Sequence, residues 1–240
     1  MAGAARAVSV SFLEHGIAVL RMQRGENRIN KEFIDTFHSC LDEVESNKNC
    51  KGLITTSEGK FFSNGLDLQW LSQQSGPESF QQFITSFNEM LGRLLTFPLP
   101  TAAAINGHCF AGGAMVAFSH DLRVMNSEKG WICYNEVFIN LRLAPFVMKV
   151  MQLKANPKTF HNMMVFGQRF TGLEAESAGL IDKAIPPSLV ENESQKLLQA
   201  WLGKDGIQRE SLHNMKKDVY ADALKELYTL RPSNFSVVEN

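Results

Sequence analysis

The sequence predicts an α/β fold that ends in a helical region, and three observations carry that expectation. Short apolar, β-rich runs alternate with longer segments of helical periodicity. Two turns rich in small residues, FFSNGLDL (Phe61–Leu68) and INGHCFAGGAMVAFSHD (Ile105–Asp121), each leave a β-rich run and enter a helix-like stretch. Beyond Pro145 nearly everything reads as helix, and no Ser/Gly linker or internal repeat divides the chain.

The elements follow in order. VSVSFL (8–13) and IAVLRM (17–22) flank Glu14-His15-Gly16 and read as a hairpin. Residues 31–46 carry Phe33, Phe37, Leu41 and Val44 at helical spacing, and KGLITTSE is a short β-rich run leading to the loop GKFFSNGLDL. Residues 79–96 are an amphipathic helix that Pro98 and Pro100 stop, and TAAAIN is a buried strand. Short strands are expected at Leu122–Met125 and around Trp131–Tyr134, and a last one at Leu180–Ala184 interrupts the helices. Met148, Met151, Met163 and Met164 fall at helical spacing and read as packing.

Composition removes several classes of function. The 240 residues are 44% hydrophobic and 20% charged, suited to one large domain or a domain with a modest appendage. Lys plus Arg number 24 against 25 Asp plus Glu, with no block of like charge, so no nucleic-acid partner is expected. No apolar run reaches the roughly 18 residues of a membrane span, so no membrane partner is expected. The four cysteines lack a C-x-x-C pair and the six histidines lack ligand spacing, which predicts free thiols and no metal. The N-terminus is not of the secretory kind, and SVVEN is not an S-K-L type address. Compartment stays open, with peroxisome or cytoplasm ahead of the mitochondrion.

The two glycine turns carry the chemistry. Gly112-Gly113 fits neither G-x-G-x-x-G nor G-K-[ST], which excludes both nucleotide loops on spacing. The pair either packs a helix tightly on a strand or bares a helix N-terminus to a ligand oxygen. Two loops that each present a backbone N–H without an intervening side chain can form an oxyanion hole. Asp67 is placed to cap the following helix or orient the loop. Ser63, His120 and Asp121 suggest a hydrolase triad, but no G-x-S-x-G elbow accompanies them.

FFSNGLDL, then PTAAAINGHCFAGGAMVAFSHDLRV about forty residues on, then TGLEAESAGLIDKAIP (Thr171–Pro186), resemble the enoyl-CoA hydratase/isomerase (crotonase) superfamily. The likeness runs from about Val8 to Pro186 and is nearest to the Δ3,Δ2-enoyl-CoA isomerases. It implies a crotonase-like spiral of ββα units with a C-terminal helical region. Residues 1–186 would form the acyl-CoA core, and 187–240 a helical part of the same domain or an oligomerisation appendage. It also implies an acyl-CoA substrate, no cofactor beyond the coenzyme A of that substrate, and a homotrimer or dimer of trimers. Leu189, Val190, Leu197, Leu198 and Trp201 are the tail's apolar positions expected to seek a partner.

Residue by residue, the resemblance assigns the oxyanion hole to the N–H groups of Leu66 and Gly112. Ser63, Gly65, Asp67 and Leu68 become substrate-binding positions, and Arg24 and Arg28 candidate contacts for the coenzyme A phosphates. For His108, close to the second turn, the resemblance implies a structural role. Glu136, in WICYNEV, takes the place of the catalytic base, with Trp131, Tyr134, Val137 and Phe138 as apolar neighbours in sequence that would raise its pKa. A hydratase of this kind would carry a first Glu where this chain has Met115. One carboxylate suffices to carry a proton from C2 to C4 of a 3-enoyl thioester. The expected activity is a Δ3,Δ2-enoyl-CoA isomerase of unsaturated fatty-acid β-oxidation. Its alternatives are hydration or thioester hydrolysis on the same fold, or a catalytically weak acyl-CoA-binding scaffold. Three departures stand out: Asn140 where relatives keep Gly, Arg142 as an extra residue before Pro145, and no acid at Ala144 or Phe146.

Overall fold

Strands β1 (Val8–Phe12) and β2 (Ile17–Met22) pair antiparallel, with Phe12 opposite Ala18, around a 3-10 turn at Glu14–Gly16. His15 and Gly16 close that turn at φ 70° and 79°, so the hairpin read from the sequence forms. These details come from a computed structural model, which describes residues 6–74, 76–202 and 206–231. Helix α1 (Lys31–Ser46) follows, capped by the Asn30 side chain accepting from the Phe33 amide at 3.1 Å. Phe33, Phe37, Leu41 and Val44, the residues whose spacing predicted the helix, are all buried.

Three further units repeat the pattern of two strands and helix. The first is β3 (Gly52–Ser57) and β4 (Phe61–Ser63) with α2 (Leu68–Ser72) and α3 (Gly76–Leu95). The second is β5 (Thr101–Ile105) and β6 (His108–Phe110) with α4 (Gly112–Phe118). The third is β7 (Leu122–Asn126) and β8 (Ile132–Cys133), then a 3-10 turn at Glu136–Ile139 and α5 (Pro145–Lys154). After α6 (Pro157–Phe166) and α7 (Gly172–Ser177), strand β9 (Lys183–Ile185) closes the sheet. The last helices are α8 (Val190–Leu202), α9 (Arg209–Val219) and α10 (Ala221–Leu224).

The strands of each unit go to different sheets. One sheet runs β1-β2-β3-β5-β7-β9, parallel from β2 onward, and the other runs β4-β6-β8, parallel throughout. Repeating that split makes the spiral of ββα units that the resemblance implied. The second sheet is a correction to the sequence reading, which left β4 and β6 within loops. The strand expected at Leu180–Ala184 is also displaced: only Lys183–Ile185 pairs, and Leu180 and Ile181 are buried in the turn before it.

Alternation along the strands feeds two apolar layers. Ala18, Leu20, Leu53, Ala103, Ile105 and Met125 face the main core with α1, α3 and α4. Ile17, Val19, Ile54, Ala102, Ala104 and Val124 face the other way and meet Val190, Leu198 and Leu202 of α8. Burying each of the larger side chains among these, Val, Leu, Ile or Met, stabilises the fold by about 1.5–3 kcal/mol. This corrects the expectation for the tail. Val190 and Leu198 are buried against the chain's own sheet and Leu197 packs partly there, while Leu189 and Trp201 remain exposed.

Helix α9 attaches by charge instead. Arg209 donates to the carbonyls of Glu45, Asn47 and Cys50, just past the end of α1. One turn on, His213 Nδ1 donates to the Thr96 carbonyl at 2.6 Å. Lys216 then reaches the carbonyls of Phe97 and Leu99 and the Asp121 carboxylate at 2.6 Å. Basic groups three and four residues apart thus cap carbonyls that the ends of α1 and α3 leave open. Beyond α10, the Leu227 carbonyl accepts from Asn88 Nδ2 at 3.1 Å, laying the chain over α3.

Candidate active site

The first glycine turn is held by the segment that precedes α1. Ile29 donates to the Gly65 carbonyl and accepts from the Asp67 amide, at 2.8 and 2.9 Å. In that parallel bridge the Leu66 amide points away from Ile29. Buried Asn27, at φ 48°, donates through Nδ2 to the carbonyls of Phe61 and Phe62. Ser63 Oγ donates to the Asn27 carbonyl at 2.7 Å and accepts from the Gly65 amide, so this hydroxyl is engaged within the loop. Asp67 accepts from the Trp70 amide at 3.0 Å and from Asn30, which makes it the N-cap of α2; Leu68 begins that helix and packs on the core.

The second turn meets the first at Gly65. A Cβ there would lie 3.1 Å from the Gly112 nitrogen, and Gly65 itself sits at φ 80°. Its bareness lets the two loops touch. Gly112 opens α4, so its amide is one that the helix cannot satisfy. Among the described residues, no protein acceptor takes the amide of Leu66 or of Gly112. The two glycines of the pair differ. A Cβ on Gly112 would meet only side-chain tips, Leu66 Cδ2 at 3.1 Å and Ile29 Cδ1 at 3.3 Å. On Gly113 it would strike Ser63 itself, 2.5 Å from the carbonyl oxygen, so Gly113 is what seats α4 against β4.

Glu136 stands at the first position of the 3-10 turn after β8. It is 2% exposed, and neither carboxylate oxygen has a partner among the described residues. Burial outweighs a backbone hydrogen bond within the residue and pushes its pKa up to about 7. The apolar surroundings are only partly the ones the sequence suggested: Tyr134 is buried and Val137 lines the cavity of Glu136, but Trp131 and Phe138 are exposed and outside that lining. Leu141, Leu143, Met148 and Met164 line the same cavity. Asn140 ends the turn at φ 52° and ψ 33°, a left-handed conformation that Asn tolerates and β-branched residues do not. At that position Asn does conformationally what a Gly would.

Two adjoining cavities result. One, of about 220 Å³, is lined by Leu66 and Met115 together with Phe80, Ile84 and Phe87 of α3. The other, of about 380 Å³, contains Glu136. They share Leu141, Arg142, Leu143 and Arg231 as a common wall. Glu136 is the one carboxylate among the described residues that line the two, and Met115 faces the first cavity from α4.

The remaining candidates lie elsewhere. Arg24 forms a two-pronged pair with Glu32 at 2.6 Å, and Arg28 pairs with Glu26 at the protein surface. His120 is buried with Nδ1 donating to the Val116 carbonyl and Nε2 accepting from Thr55, and burial pushes its pKa down to about 3. Asp121 accepts from Thr101 and Lys216. Ser63, His120 and Asp121 therefore form no triad. The residues that sequence reasoning missed are Asn27 and Ile29. Their signal was present in RGENRIN, where Gly and Asn mark a turn immediately before a helix cap.

Among the described residues no cluster of three or more His, Cys, Asp or Glu is arranged to hold a metal. None of the helices there is long and apolar enough to cross a membrane.

The family described as enoyl-CoA hydratase/isomerase matches residues 13–240 of the chain. Enoyl-CoA delta isomerase 3 of Arabidopsis thaliana is 33% identical over 211 residues, covering 85% of this chain and 84% of its own. Peroxisomal enoyl-CoA delta isomerase 2 of the same plant is 32% identical, covering 85% of each. The crystal structure of human mitochondrial Δ3-Δ2-enoyl-CoA isomerase superposes with a TM-score of 0.86 at 24% identity, over 93% of this chain and 86% of that one.

Proposed function

The chain belongs to the enoyl-CoA hydratase/isomerase family, and on that premise we propose that it is a Δ3,Δ2-enoyl-CoA isomerase. The observation that carries the proposal is Glu136: buried, with no partner for its carboxylate oxygens, its pKa raised to about 7, and alone as a carboxylate among the described residues lining the two cavities. The thioester oxygen of a 3-enoyl-CoA accepts from the amides of Leu66 and Gly112. Glu136 takes a proton from C2, and the electron pair spreads over an enolate whose oxygen both amides stabilise more than they stabilised the carbonyl. The same carboxyl returns its proton to C4, leaving the double bond between C2 and C3 with no net loss or gain of atoms. A pKa near neutrality suits a group that must both accept and give a proton.

The common wall constrains this reaction. An acyl group reaching both the amides and Glu136 passes Leu141–Leu143, so that short segment yields on binding. Hydration would need a second acid to hold and activate water, and Met115 stands where α4 would supply it. No cofactor beyond the coenzyme A of the substrate enters the scheme. Assembly as a homotrimer or dimer of trimers is part of the same proposal. Beside the site, Val137, Phe138, Val165 and Phe166 are half or more exposed or nearly so, an apolar surface for a second copy to cover. The test is to incubate the purified protein with 3-hexenoyl-CoA and follow the conjugated 2-enoyl product. Steady conversion by the native protein and its loss in Glu136→Gln are expected; conversion unaffected by that change would remove Glu136 from its role.

A further inference from the structure

Among the described residues two arginines border both cavities, and they are the two without a partner there. Arg6, Arg21, Arg24, Arg28, Arg93 and Arg123 are all in ion pairs. Arg169 lies over the rings of Phe110 and Trp131, and Arg209 donates to backbone carbonyls. Among the described residues no carboxylate pairs with Arg142 or Arg231, although both stand in the common wall at its solvent-exposed rim. Glu136 is not their partner: burial alone raises its pKa, and no neighbouring positive charge pulls it back. The rim location keeps the two guanidiniums hydrated while they face the space the acyl group would fill. A guanidinium offers a planar fork of donors that matches a carboxylate.

We propose that Arg142 and Arg231 receive a carboxylate at the far end of the acyl chain, so that the preferred acyl group is that of a short dicarboxylic acid joined to coenzyme A at one end. This rests on the acyl-CoA reading of the site. The phosphates of coenzyme A are the competing anion, but the whole pantetheine arm separates them from the thioester. The arginines, by contrast, share walls with the cavities that hold the amide donors and Glu136. Cavities of about 220 and 380 Å³ side by side hold an acyl chain of a few carbons and leave no room for a nucleotide as well. The extra residue at Arg142, which breaks the apolar run from Leu141 to Pro145, thereby acquires a purpose.

Calorimetric titration of the native protein with adipoyl-CoA and with hexanoyl-CoA tests the proposal, because the two acyl groups have equal length and neither can isomerise. Adipoyl-CoA is expected to bind about tenfold or more tightly. In the double variant Arg142→Gln, Arg231→Gln that ratio is expected to collapse towards one, and Arg142→Lys, Arg231→Lys to restore part of it. Equal or weaker binding of adipoyl-CoA to the native protein overturns the idea. So does a double variant that weakens both ligands alike, the result expected if the arginines hold phosphates. Should the double variant melt early, each single Gln variant is expected to lose part of the preference, and an unchanged ratio in both is again fatal. Turnover of 3-hexenoyl-CoA is measured separately, so failure of the isomerase reading and failure of this one leave different traces.

Discussion

The amide of Ala111 donates to the carbonyl of Cys133 across 3.0 Å, and that bond joins the two halves of the site. Ala111 immediately precedes the Gly112 amide, and Cys133 ends the strand that delivers Glu136. The Gly112 amide and the Glu136 carboxyl are therefore tied together through one rung of the small sheet. A displacement of either is passed to the other.

Replacing Glu136 with Gln preserves size while removing the base. Turnover of 3-hexenoyl-CoA is expected to fall by a factor of about 100 or more, with hexanoyl-CoA affinity nearly unchanged. Steady-state kinetics and calorimetry on the purified variant check both halves of the claim.

The same carboxyl sets a pH dependence. Glu136 must be ionised to accept the C2 proton, so kcat/KM is expected to rise with pH and level off above about pH 7. Stability moves the other way. The folded-state pKa lies above the usual value of 4.5, so the folded protein binds the extra proton between those limits. Its contribution is whole below about pH 4.5 and is lost as pH rises through about 7, by about 3 kcal/mol. The melting temperature of Glu136→Gln minus that of the native protein should therefore increase from pH 5 to pH 8. A flat difference would contradict the burial argument.

The glycine pair separates by the atoms each glycine faces. Gly113→Ala drives a methyl group into the Ser63 backbone and is expected to cost several kcal/mol, of the order seen for overpacked sites, about 1–3 or more. Gly112→Ala meets only the movable tips of Leu66 and Ile29, so its melting temperature should stay closer to native. If the Gly112 amide serves the oxyanion, its rate should fall out of proportion to that small loss of stability. Melting curves and kcat for the two variants decide it.

Asn140→Gly is expected to keep both fold and rate, because glycine adopts the left-handed turn as readily as asparagine. Asn140→Val should lose about 1–2 kcal/mol and displace Glu136, whose carbonyl accepts the turn-closing bonds from the amides of Asn140 and Leu141. Thermal unfolding beside turnover measures this.

Light scattering should return about three or six times the 26.9 kDa of one chain. A single-chain mass would leave Phe138 and Phe166 exposed in solution and overturn the assembly part of the proposal.

Much of the site was written locally, which is why it could be read. Gly65, Gly112 and Gly113 leave a mark in the sequence because a close approach of backbone to backbone or to ligand admits no side chain. The capping role of Asp67 was legible for the same reason, since a cap acts within one helical turn. Of the small sheet only β8 was legible, as the short strand expected around Trp131–Tyr134, and its pairing with β4 and β6 was not. Strands of three, three and two residues are too short to show a period of two, and their pairing depends on partners dozens of residues away. Nor could periodicity say what α8 covers. A helical stripe such as Val190, Ser194 and Leu198 shows that one face is buried, not whether a sheet of the same chain or of another copy buries it. The ion pair of Arg24 with Glu32 was hidden likewise, because it forms across the fold of a turn.

The attachment of α9 also fixes an order of events during synthesis. Arg209, His213 and Lys216 provide the donors for six carbonyls around the ends of α1 and α3, and Leu230 and Arg231 supply part of the cavity wall. All of these residues leave the ribosome after both amide loops and Glu136. A nascent chain therefore possesses the groups proposed to react well before the cavity beside them has its full lining. Loss of Leu230 and Arg231 from a finished chain would run that sequence backwards, removing cavity wall while both amide loops and Glu136 stay in place.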